Sequence, residues 1–175
     1  MNARNLACRT FAATAALLTL VVGIAGCAVQ QRDKTRPSER TQSVDADTAK
    51  RTMIDIVDQT TAALGGEWET RTSPDYVESC QLSGDEEGAR WVYRVARSGS
   101  GDNDADAAAA SDIWTSAGMT VDRLADTKGP ALVARGGDRV ETIRLFAFPD
   151  NSSIQALSMC FAGDADEIEE RQAEE

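Results

Sequence analysis

The chain of 175 residues contains no histidine. That removes the commonest general base, the usual zinc ligand, and every Ser-His-Asp or Cys-His catalytic arrangement. Lysine is scarce too, present only as Lys34, Lys50 and Lys128. No Gly-x-Ser-x-Gly elbow, Ser-x-x-Lys motif or P-loop occurs, which excludes the hydrolases and nucleotide-binding folds those motifs mark. Aromatic residues make up 5% of the chain. No apolar run approaches the ~20 residues a membrane-spanning helix needs. What survives of enzyme chemistry is a carboxylate pair of the glycosidase type, and among 29 aspartates and glutamates abundance singles out no pair. The sequence assigns no catalytic residue, no cofactor and no metal ligand.

What is present begins with charge. The formal net charge is −11, and without Arg4 and Arg9 it becomes −13. Such an acidic domain is a poor partner for nucleic acid or anionic headgroups. Apolar content is ordinary at 42%, so most of the chain is expected to fold.

Arg4 and Arg9 precede an uncharged apolar segment, Phe11 to Ala25, followed by Gly26 and Cys27. About fifteen residues suit a cleaved signal rather than a permanent span. With Ile24 at −3, Ala25 at −2 and Gly26 at −1, Leu18 to Cys27 resembles the lipobox of bacterial lipoproteins. The preference for arginine over lysine and the many alanines suit a GC-rich genome such as an actinobacterium's. The resemblance covers residues 1–27 alone. It implies removal of residues 1–26, a lipid on Cys27, and a cell-membrane location on the extracytoplasmic face. The alternative for Cys27 is an ordinary position in a signal cut at a nearby alanine. No domain family is matched beyond this segment.

Cys8 would leave with the signal and Cys27 would carry lipid, which leaves Cys80 and Cys160. An even pair in an oxidising setting predicts a disulfide, with two buried free thiols as the alternative.

Residues 27–44 are polar and mixed in charge, and read as a flexible tether. Met53, Val57 and Leu64 then recur at helical spacing, with Asp45 and Asp47 at the start and Gly65-Gly66 at the end. Short extended stretches follow at 67–72 and 76–82. Trp91, Tyr93 and Val95 alternate with arginines, and the reading is one aromatic core face and one arginine face carrying Arg90, Arg94 and Arg97. Three such arginines could fork onto carboxylate or phosphate, although a solvated face paired to carboxylates is the plainer expectation.

Ser98-Gly99-Ser100-Gly101-Asp102 leads into a second helix, 103–117. A glycine-rich loop at a helix start can cradle phosphate, yet the dinucleotide fingerprint would need glycine at Asp104. Asp102, Asp104 and Asp106 resemble the start of a calcium loop, but Ala107 replaces its glycine and Ile113 its terminal glutamate. Acids at a helix start explain them more simply.

Four strands are expected at 119–124, 130–135, 139–148 and 153–161, joined by turns short enough for an antiparallel meander. Residues 164–175 are almost all acidic and polar, and suggest a disordered tail. The expectation is an α+β fold, a mostly antiparallel sheet with two helices packed on one face, forming a single domain over 45–163. The function expected is a non-catalytic interaction module tethered in the cell envelope, held to the lipid bilayer through Cys27 and facing another envelope protein. Small-ligand or ion binding is the alternative, with a carboxylate-dependent glycan hydrolase behind it.

Overall fold

Strict alternation of buried and less buried positions builds the last strand, Asn151–Ser158, and a nearly strict one builds Val140–Phe148 before it. These lie at the heart of a computed structural model that describes residues 44–99, 101–125 and 128–174. The expected signal at 1–26, the expected lipid site at Cys27 and the stretch expected as a tether, up to residue 43, lie outside the described residues.

The elements are α1 (Ala46–Leu64), β1 (Glu69–Thr72), β2 (Val77–Gln81), β3 (Glu87–Ser98), α2 (Asn103–Ser116), β4 (Met119–Arg123), β5 (Ala131–Gly136), β6 (Val140–Phe148), β7 (Asn151–Ser158) and α3 (Ala165–Ala173). The fold is α+β with an antiparallel seven-stranded sheet in the order β1-β3-β7-β6-β5-β4, and β2 pairs with the first half of β3. Strands β4 to β7 form the expected meander. The long strand β3 pairs with β7, so the last strand lies between early and late parts of the chain.

Helix α1 starts where the Asp45 side chain accepts a hydrogen bond from the Thr48 amide at 2.9 Å. Hydrogen bonding by the Thr48 side chain, and then by this amide, holds the Asp45 carboxyl below its ordinary value. The helix stops at Gly65, whose φ of 63° is open to glycine at no steric cost. Its fully buried Met53, Ile56, Val57 and Thr60 join one core with Val95, Trp114, Ile143, Leu145 and Ile154. Inside that core the Trp114 indole donates to Thr60 Oγ1 at 3.0 Å, and Thr60 in turn donates to the Ile56 carbonyl at 2.7 Å. The bonds satisfy a buried indole that would otherwise cost about 1–3 kcal/mol.

The disulfide between Cys80 and Cys160 is present, with 6.1 Å between the Cα atoms. Cys160 lies just beyond β7 rather than inside it. The chain pairs again at Phe161, which exchanges two backbone hydrogen bonds with Ala89, each 2.9 Å. A Cβ at Gly88 would meet the Phe161 carbonyl at 2.6 Å and the Cys160 sulfur at 3.0 Å, so only glycine lets this segment close on β3. Closing a loop of 80 residues stabilises by ~4 kcal/mol in the chain-entropy account.

One expectation is corrected. The acidic end is helical instead of disordered, which gives the fold a third helix. Asp164 caps α3 by accepting from the amides of Asp166 and Glu167, at 2.9 and 3.3 Å. Asp166 and Glu167 suit the positive end of the helix and Arg171 the negative end. Ala165 is buried, and Ile168 packs against the core. An acidic composition reads as disorder only when no cap and no apolar anchor accompany it.

Candidate functional site

The two faces of β3 carry different chemistry. Trp91 and Arg97 point to α1: the Trp91 indole donates to the Ala46 carbonyl at 2.9 Å, and Arg97 Nη1 donates to the carbonyls of Leu64 and Gly65 at 2.7 and 2.8 Å. Arg90 and Arg94 fall on the opposite face, as the period of two requires. The expected face of three arginines is therefore corrected, because Arg97 shares parity with Trp91, Tyr93 and Val95.

Arg97 is 7% exposed and structural. Its Nη2 forms an ion pair with Asp106, and its guanidinium stacks on the Trp68 ring at 5.1 Å. One side chain thus closes the carbonyl end of α1 and meets a carboxylate from the first turn of α2. Gly101 makes room, since a Cβ there would lie 2.9 Å from Arg97 Nη2. The glycine before α2 thereby serves this ion pair. Asp102 caps α2 through the Ala105 amide at 3.1 Å, and Asp104 pairs with Arg123 at 3.2 Å. With each aspartate engaged separately, the calcium-loop reading is left without a ligand set. Among the described residues no group of three or more acids and cysteines is arranged to hold a metal.

Arg90 is neutralised on its own face. It donates to Glu78 at 2.8 Å and to both oxygens of Glu141 at 2.8 and 2.9 Å. Burial alone would lower its pKa, but the bonds to Glu141 and Glu78 outweigh it and raise it.

Arg94 differs. It is exposed and has no ion-pair partner among the described residues. In β7 it faces Gln155, and Gln155 faces Arg144 of β6. Arg144 is likewise exposed and unpaired among the described residues. Two strand spacings put their Cα atoms roughly 10 Å apart, within reach of one bridging group for side chains of this length. Beside this row lies a groove of about 630 Å³, lined by Arg71, Arg94, Phe146, Phe148, Ser153 and Gln155, with Arg144 outside its lining and next to Gln155 across the β7–β6 pairing. The rings of Phe146 and Phe148 are 5.8 Å apart and tilted at 59°. Arg71, at the bulge of β1, pairs with exposed Glu69 at 3.0 Å. A shallower hollow of about 380 Å³ by Gln59, Asp112 and Arg139 lacks this pairing of cations with an aromatic wall.

The alternation of β3 pointed to Arg94. Arg144 and the phenylalanines escaped notice because their nearness to Arg94 depends on the β3–β7–β6 register, which joins residues some fifty positions apart. The arginine at 144 and the phenylalanines at 146 and 148 share one parity in β6, and that was the only local sign. No helix among the described residues is long and apolar enough to cross a membrane.

No protein-family profile matches the chain, and no curated protein matches it. Among solved structures it is similar to a DUF4853 family protein from Actinomyces odontolyticus ATCC 17982, at 17% identity and a TM-score of 0.49, over 71% of this chain and 72% of that one.

Proposed function

We propose that the chain is a lipoprotein of the cell envelope, anchored at the extracytoplasmic face through a lipid on Cys27, and that its domain is a non-catalytic interaction module. The lipobox-like stretch ending at Cys27 and the signal pattern before it support the anchor. The Cys80–Cys160 disulfide fits an oxidising location. The lack of histidine throughout supports a binding role over a catalytic one.

In this reading α1 and α2 cover one face of the sheet. The Trp91–Ala46 and Trp114–Thr60 bonds support that arrangement. The opposite face is the one that meets a partner. The observation that carries the reading is the pair of arginines at 94 and 144, without carboxylate partners among the described residues of a chain holding 29 acids against 18 bases. The groove beside them favours a small ligand as the second form of this reading, next to an envelope protein.

Two measurements test it. Palmitate labelling of cells should tag the protein and not its Cys27→Ala variant; label kept by the variant removes the anchor. A photoreactive amino acid placed at Gln155 should give a discrete adduct in intact cells, and one placed at Asp112 should not. Equal yields at both positions remove the open face as the binding surface.

A further inference from the structure

The open face is more specific than a patch of positive charge. Arg94 and Arg144 lie in one row with a hydrogen-bonding amide between them, and an aromatic wall stands next to that row. Resting on the small-ligand form of the reading above, we propose that this groove binds a single-chain amphiphile with an anionic head. The head lies across Arg94, Gln155 and Arg144, and the apolar body lies along Phe146 and Phe148.

Three features carry the assignment. First, Arg94 and Arg144 flank Gln155 in register on β3, β7 and β6. Arginine offers a planar fork of donors that suits carboxylate and phosphate oxygens, and the Gln155 amide adds a neutral donor between them. Without an anion, two like charges stand near one another with no carboxylate in ion-pair contact among the described residues. Arg90, on the same face, has two glutamates. Second, the neighbouring surface is apolar: Phe146 and Phe148 are half-buried, and Ala96 of β3 is buried beside them. A free inorganic anion would leave that wall unused. Third, the groove has the volume of a small-molecule site, within the usual ~300–1,000 Å³.

Charge also decides between a solitary amphiphile and a bilayer. With 29 acids against 18 bases the whole chain is repelled by an anionic membrane surface. A single molecule in the groove experiences mainly the local field of Arg94, with Arg144 beside the Gln155 that lines the groove, because charges beyond about 8–10 Å are largely screened. The occupant is therefore one molecule withdrawn from its surroundings, held by head and chain together.

The test uses the full chain in membranes of the expressing cells. The probe is a dodecanoate carrying a diazirine in its chain, and the labelled peptide is identified by mass spectrometry. Labelling should saturate and fall on the segment that contains Phe146, Phe148 and Ser153. Unlabelled dodecanoate and dodecyl phosphate should compete with it, and the methyl ester of dodecanoate should not. Arg94→Ala and Arg144→Ala should each weaken the apparent affinity by about tenfold or more, as expected for loss of a charge-assisted hydrogen bond. Phe148→Ser should weaken it while keeping the preference for acid over ester. Both arginines are exposed, and formation of the Cys80–Cys160 disulfide in each variant checks that it has folded.

Equal competition by acid and ester overturns the proposal, as does labelling spread over the whole chain or indifferent to both arginine variants. Competition by phosphatidylglycerol vesicles as strong as by free dodecanoate also overturns it, in favour of a bilayer surface. If these fail while the adduct from Gln155 persists, the open face remains the binding surface and only its ligand class is wrong.

Discussion

Arg97 and Arg94 stand three residues apart on one strand and have opposite surroundings. Arg97 is enclosed by two α1 carbonyls, the Trp68 ring and Asp106. Arg94 faces solvent with Gln155 beside it and no carboxylate among the described residues. The first holds elements together, and the second is free to meet something else. An arginine's role in this sheet follows from its parity and from what packs on that face, more than from its place in a charged cluster.

The contrast can be broken most sharply at the buried end. Arg97→Met should cost about 3–5 kcal/mol, because it leaves Asp106 buried without its cation. Urea unfolding followed by tryptophan fluorescence measures this, and adding Asp106→Leu should recover part of the loss. A cost below ~1 kcal/mol would mean that the two arginines do not differ energetically. Next in size, Thr60→Val removes the acceptor of the buried Trp114 indole. It should destabilise by about 1–3 kcal/mol in the same assay.

A smaller effect separates buried pairs from a half-exposed one. Lys50 Nζ bonds Asp75 and stands 4.7 Å above the Trp91 ring. The Lys50 bond holds the Asp75 carboxyl below its ordinary value. Its folded pKa is thus below its unfolded one, so its contribution is complete above the unfolded pKa and disappears as pH falls through the folded value. The stability difference between the wild type and Asp75→Asn should be at most about 1 kcal/mol at neutral pH. It should close as the pH drops below about 4. A difference unchanged at acid pH would remove the ion pair as its cause. Smallest of all, Arg94→Ala and Arg144→Ala should each alter stability by no more than ~0.5 kcal/mol. A larger loss from either would give the open face a structural role and blur the distinction.

Much of the fold was legible because local periodicity sets it. Met53 and Val57 announced α1, and the alternation through Trp91, Tyr93 and Val95 announced β3. Short turns such as Gly136-Gly137-Asp138 announced the meander. The cysteines could be paired by elimination, since the other two lie in the N-terminal segment. Arg97 was misplaced by grouping three arginines by nearness in sequence when the period of two already divided them. The helical end was missed because Asp164 and Ile168 each contribute little alone, and their effect depends on docking beside Phe161. The candidate site was half legible. Arg94 was visible, whereas Arg144, Phe146 and Phe148 join it only through β7, a pairing that no local pattern encodes.

The position of β7 has a consequence in time. It lies between β3 and β6, so the sheet has no continuous middle until residues 151–158 are available. On a chain emerging N-terminus first, α1 and β1 to β3 come out long before their central neighbour. The meander β4 to β6 likewise waits with β6 unpaired along one edge. The β3–β7 pairing, the most distant in sequence of the strand pairs, must therefore form late, and such non-local contacts are slow to form. Closure of the disulfide comes later still, because Cys160 follows β7. The sheet is thus completed only once residues 151–161 are available, whatever has formed before them.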